Sequence, residues 1–146
     1  MQTKLILLVE DNENDVLLMQ RAFKKNHILN RVVVARDGVE ALDYLFTTGF
    51  YEGKAAEPLP DLILLDLKLP KINGLEVLKR MRAEKRTKYI PVVVLTSSTE
   101  EQDIINSYDL GANGFVQKPM NFNEFVEAAN RLGVYWLGVN RAVYPQ

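Results

Sequence analysis

Four short apolar runs in this chain end in polar side chains of complementary chemistry. Leu5–Val9 runs into Glu10 and Asp11, Leu62–Leu65 into Asp66, Val92–Leu95 into Thr96 and Ser97, and Phe115–Gln117 into Lys118. Three carboxylates gathered in one place repel one another and hold on to protons unless a cation compensates them. A divalent metal does so, and a few carboxylates completed by water suit magnesium, which also grips phosphate oxygens. In that arrangement Asp11 and Asp66 bind the metal directly and Glu10 acts through water. Lys118 pairs with Asp66 at rest and later neutralises a phosphoryl oxygen, while the Thr96 hydroxyl donates to another. Phosphoryl transfer asks a protein mainly for positioning and charge neutralisation. With Asp66 as the nucleophile, the product is an acyl phosphate. A lone acid after a strand is more often a helix cap or a solvated loop residue; the order of all five groups along the chain is what carries the reading.

The apolar periodicity alternates between strand and helix along the whole length, the pattern of βα units around a parallel sheet. It predicts strands at Leu5–Val9, Arg31–Ala35, Leu62–Asp66, Pro91–Thr96 and Gly114–Lys118. Val16, Met19, Ala22 and Phe23 mark a first helix, with Lys24 and Lys25 in its last turn, where cations suit the helix dipole. Asp37 to Glu40 reads as a capping box for a second helix ending near Phe46, and Leu75, Leu78 and Met81 mark a third. Thr99 to Gln102 reads as another capping box, ahead of a helix ending near Gly111. Asn121 to Glu124 caps a last helix with an apolar face of Phe125, Val126, Ala129, Leu132 and Trp136.

Right-handed crossovers between such units give an α/β fold, a three-layer doubly wound (βα)5 sandwich of the flavodoxin-like kind with sheet order 2-1-3-4-5. The strand order reverses between strands one and three, which brings Glu10, Asp11 and Asp66 together at the edge where such sheets bind ligands. Residues 47–60 form the one long connection, and loops of that length are usually functional or mobile.

At 146 residues the chain has room for one domain, expected to span 1–146 with a C-terminal extension over about 137–146. Lys and Arg total 18 against 19 for Asp and Glu, so no net field draws it to nucleic acid or anionic lipid. There is no cysteine, hence no disulfide or thiolate chemistry. No run approaches the roughly 20 apolar residues of a membrane span, and Met1 to Leu8 lacks a signal-peptide pattern. A cytoplasmic location is expected. His27, the single histidine, reads as a solvated loop residue. Neither GxGxxG nor GxxxxGK[ST] occurs, which argues against nucleotide binding.

The motifs LLVEDNEND at 7–15, LILLDLKLPKINGLEVL at 62–78, PVVVLTSS at 91–98 and GANGFVQKP at 111–119 carry a resemblance. Over about residues 3–137 the chain resembles the receiver domain of two-component response regulators. The resemblance implies that Asp66 is the phosphoacceptor and that Glu10, Asp11, Asp66 and the backbone carbonyl of Lys68 form the magnesium site. It further implies that Thr96, Lys118 and Phe115 couple phosphorylation to a conformational switch, and that the bond between Lys118 and Pro119 is cis. Glu10 stands where many receivers have Asp, and Phe115 lacks the hydroxyl of a tyrosine. Lys68 and Ser98, each two residues beyond a site residue, are expected to flank the path of attacking water.

The insert before strand three and the Tyr135-Trp136-Leu137 segment are similar to those of small stand-alone regulators that accompany bacterial and cyanobacterial phytochromes. That likeness implies a sensor histidine kinase partner of phytochrome type, an unidentified downstream protein target, and self-catalysed loss of phosphate rather than a separate enzymatic activity. The apolar tail, with Tyr135, Trp136, Leu137, Val139 and Tyr144, is expected to form a homodimer face. The alternative is a binding module that keeps the fold without being phosphorylated. A phosphohydrolase is a weaker third reading, because Lys68 stands where a second catalytic acid would be needed.

Overall fold

The computed structural model describes residues 4–26, 30–53, 58–118 and 121–143. His27, Pro119 and Tyr144 lie outside them, and with them the expected cis bond. Five strands, β1 (Lys4–Val9), β2 (Asn30–Ala35), β3 (Leu62–Leu65), β4 (Val92–Thr96) and β5 (Gly114–Gln117), pair in parallel in the order β2-β1-β3-β4-β5. The α-helices are α1 (Glu13–Lys25), α2 (Gly38–Phe46), α3 (Gly74–Ala83), α4 (Glu101–Asp109) and α5 (Phe122–Gly133). Among the described residues no helix is long and apolar enough to cross a membrane.

Strand side chains alternate between two helical layers, which is why the central strands read as unbroken apolar runs. Leu7, Val9, Ile63, Leu65, Val92 and Val94 face α2 and α3, meeting Leu42, Leu45, Leu78 and Met81. Ile6, Leu8, Leu62, Leu64, Val93 and Leu95 face α1 and α5, meeting Met19, Phe23, Phe125 and Leu132. Val9 stands opposite both Ala35 and Leu65, so β1 and β3 end level and release Glu10 and Asp66 side by side. The Asp66 N–H donates to the Val9 carbonyl at 3.0 Å and the Glu10 N–H to Ala35 at 2.9 Å, so both site residues remain tied to the sheet.

Four helices start on a side-chain cap. Asn12, Asp37, Asn73 and Asn121 each accept the N–H three residues on, a contact worth about 1 kcal/mol. The capping box expected at Thr99 does not form: α4 begins after Glu100 with no side-chain cap bond, and Thr99 is exposed. Ser98 meets the start of α4 instead, because its buried hydroxyl must find partners inside the protein. It accepts the Glu100 N–H at 3.3 Å and donates to Asp103 Oδ2 at 2.5 Å.

The last helix also departs from expectation. α-Helical geometry ends at Gly133 and a π-helical turn, Val134–Val139, follows. Within it Trp136 and Leu137 pack against the α1/α5 side of the core, while Val134, Tyr135 and Val139 are about half exposed or more. In the long connection, Tyr44 donates its hydroxyl to the Pro58 carbonyl at 3.0 Å and meets Tyr51 edge-on at 5.5 Å. The described parts of that insert are therefore held down. The Arg82 guanidinium donates to the carbonyls of Gly111, Lys88 and Ile90 and to Asn113 Oδ1, joining the end of α3 to the loops that lead into β4 and β5.

Candidate functional site

At the carboxyl end of the sheet, three strand ends and the first turn of α1 deliver charged groups to one pocket. Glu10 follows β1, Asp66 follows β3 and Lys118 follows β5, whose backbone N–H donates to the Thr96 carbonyl at 2.7 Å. The Lys118 ammonium lies 2.5 Å from Glu10 Oε1, 2.8 Å from Asp15 Oδ2 and 2.9 Å from Asp66 Oδ2. Glu10 and Asp66 are buried, whereas Asp11 is exposed. Carboxylate oxygens of Glu10, Asp11 and Asp66 lie within 4.8 Å of one another. They line a cavity of about 480 Å³ with Lys68, Ser97 and Lys118.

The electrostatics of the cluster ask for more positive charge than one lysine provides. Burial pushes the Glu10 carboxyl up to about 7, although Lys118 and the Asn12 N–H pull it down, and nearby Asp66 adds to the rise. Burial alone would lower Lys118, but the hydrogen bonds it donates to Asp15, Glu10 and Asp66 outweigh it and hold the ammonium above its ordinary value. A small hard dication fits this donor set: oxygen-only ligands, a pocket open to water, and an excess of negative charge.

Most of the expected residues are brought together here, with three differences. Thr96 is fully buried, and its Oγ1 accepts the Ser98 N–H at 3.3 Å; the neighbouring Ser97 lines the pocket instead. Ser98 does not flank the cavity either, since its hydroxyl is engaged with α4, as described above. Phe115, half-buried, packs against the α2/α3 side of the core, one strand away from the carboxylates. Lys68 is exposed at the rim, and its N–H donates to Asp66 Oδ1 at 3.3 Å.

Asp15 is the residue that sequence reasoning missed. With Asn12 as the cap and an acid three residues on, it has the form of a capping box, and its backbone N–H does donate to Asn12 Oδ1 at 3.1 Å. Its carboxylate, however, turns to Lys118, while Glu10 Oε2 accepts the Asn12 N–H at 3.1 Å in its place. The helix-start signal was real and concealed a second use of the side chain.

The profile described as the response regulator receiver domain matches residues 6–130. The chain belongs to this family. It is a receiver of two-component signalling, a phosphoacceptor module, and the expected fold is the observed one. It is 41% identical over 141 residues to the probable methanogenesis regulatory protein FilR2 of Methanothrix harundinacea, covering 97% of this chain and 88% of that protein. It is also 41% identical over 134 residues to the response regulator Rcp1 of Synechocystis sp., covering 92% and 89%. The Mn(2+)-bound structure of Rcp1 superposes with a TM-score of 0.86 at 39% identity, over 96% of this chain and 99% of that one. The phosphorylated cyanobacterial phytochrome response regulator RcpA gives 0.88 at 40% identity, over 97% and 99%. The receiver is thus similar to phytochrome response regulators in sequence and in fold.

Proposed function

We propose that this receiver is a response regulator, one receiver unit over 1–146 with an extension from about 137, that accepts a phosphoryl group on Asp66. The observation that carries this is the convergence of Glu10, Asp11, Asp66 and Lys118 at the strand-order reversal of the sheet. The donor is a phosphohistidine of a sensor kinase, of phytochrome type by likeness to RcpA. An Asp66 carboxylate oxygen attacks phosphorus, the P–N bond to the imidazole breaks as the P–O bond forms, and the leaving nitrogen takes up a proton. Hydrolysis of the acyl phosphate by water resets the protein. Glu10, Asp11, Asp66 and the Lys68 carbonyl would hold magnesium, which when bound offsets the charge of the phosphoryl oxygens; the Mn(2+)-bound structure of Rcp1 supports a divalent cation at such a site.

Lys118 then pairs with a phosphoryl oxygen, and Thr96 leaves the Ser98 N–H to donate to another. Because the Lys118 amide is bonded to the Thr96 carbonyl, both movements load the β4–β5 edge where Phe115 sits. The output is protein contact in the cytoplasm, with a downstream protein target and without nucleic acid or membrane. The half-exposed Val134, Tyr135 and Val139 support a homodimer face that includes the last helix. Acetyl phosphate with magnesium tests the central claim: the wild type should gain one phosphoryl group that hydroxylamine releases and that does not survive acid or base, and Asp66→Asn none. Labelling of Asp66→Asn, or none of the wild type, would favour a binding module that keeps the fold alone.

A further inference from the structure

Every oxygen of the two buried carboxylates is already in use. Glu10 gives Oε1 to Lys118 and Oε2 to the Asn12 N–H. Asp66 gives Oδ2 to Lys118 and Oδ1 to the Lys68 N–H. A cation that draws on Glu10 Oε1 or Asp66 Oδ2 shares those oxygens with the ammonium of Lys118, and two positive charges on the same oxygens repel each other.

The third partner of that ammonium is not among the three clustered carboxylates. Asp15 sits in the first turn of α1, its backbone fixed by the Asn12 cap, and holds Lys118 Nζ at 2.8 Å from the helix side of the pocket. Its side chain is about a quarter exposed against about a tenth for Lys118. Lys118 thus keeps one full-charge partner that a metal does not claim.

We infer that Asp15 is a positioning residue that retains Lys118 when a divalent cation displaces it from Glu10 and Asp66. The inference rests on the reading of Glu10, Asp11 and Asp66 as the metal site. Without Asp15, the ammonium is bound only to the oxygens the cation needs, so cation and lysine become direct competitors.

Calorimetric titration of the full chain with magnesium alone, at neutral pH, tests this in four proteins. Asp15→Asn should weaken magnesium binding about tenfold, Lys118→Ala should tighten it, and adding Asp15→Asn to Lys118→Ala should change it by less than about threefold, because contacting groups couple and isolated ones do not. Wild-type affinity in Asp15→Asn would overturn the inference. So would an equal loss in both backgrounds, which would make Asp15 only one more negative charge nearby. Asp11→Ala separates the two levels of argument: loss of binding there with a neutral Asp15→Asn sinks the positioning role alone, and retained binding in Asp11→Ala sinks the metal site with it.

Discussion

Glu10→Gln should make the metal-free protein more stable at neutral pH, although it removes an ion pair. The Glu10 carboxyl is 3% exposed, and burial raises it from its ordinary 4.5 to about 7. A carboxyl raised on folding binds more protons in the native than in the unfolded state, so stability falls as pH climbs between those two values and levels off above them. At about 1.4 kcal/mol per tenfold change in proton affinity, the cost at pH 8 is about 3 kcal/mol. Glutamine does not titrate, and its single side-chain oxygen can keep either the Asn12 N–H or the Lys118 contact. Lys118 stays charged throughout this window and keeps Asp15 and Asp66 as partners. Urea unfolding of both proteins in chelator from pH 4.5 to 8.5 cancels, in the difference, the titrating groups that do not interact with Glu10. That difference should grow with pH by about 2 to 3 kcal/mol in favour of Glu10→Gln, and saturating magnesium should shrink it. A difference flat to within about 0.5 kcal/mol would refute the argument that burial dominates at Glu10.

Two further perturbations act on the scaffold of the sheet. A methyl group on Gly74 would lie 2.2 Å from the Asp66 carbonyl oxygen and 2.8 Å from Leu67 Cα, so Gly74→Ala should cost about 1 to 3 kcal/mol in chemical denaturation and slow Asp66 phosphorylation; wild-type values for both would show that the start of α3 can move freely. Arg82→Met should cost about 3 kcal/mol, because it strips hydrogen bonds from the carbonyls of Gly111, Lys88 and Ile90 and from Asn113 together; a melting temperature within about 2 °C of wild type would refute that estimate.

The strands and their order were legible because a sheet covered on both faces leaves an apolar run wherever a strand passes, and each run here stops at a polar residue. The carboxylates and Lys118 were legible for the same reason, being the residues on which those runs stop. What escaped detection are side chains whose sequence context admits two uses. Asp15 fits a capping box and serves Lys118. Thr99 has the cap spacing, yet it stays exposed, and the buried Ser98 is the residue that meets the start of α4. The π-helical turn was invisible because an apolar residue four positions after Leu132 suits either kind of turn, and only the backbone hydrogen bonds distinguish them.

The strand that carries Lys118 lies at the border of the sheet. β3, which ends at Asp66, is flanked by β1 and β4 and all four of its residues are buried; β5 has β4 alone, and three of its four residues are only half-buried. The protein is therefore mechanically graded across its width. Asp66, the proposed acceptor, stands where displacement is stiffest, so the pocket would keep its shape under the load of a new dianion. Phe115, proposed to respond, stands where one ladder of hydrogen bonds resists it, so the same load would spend itself as motion there.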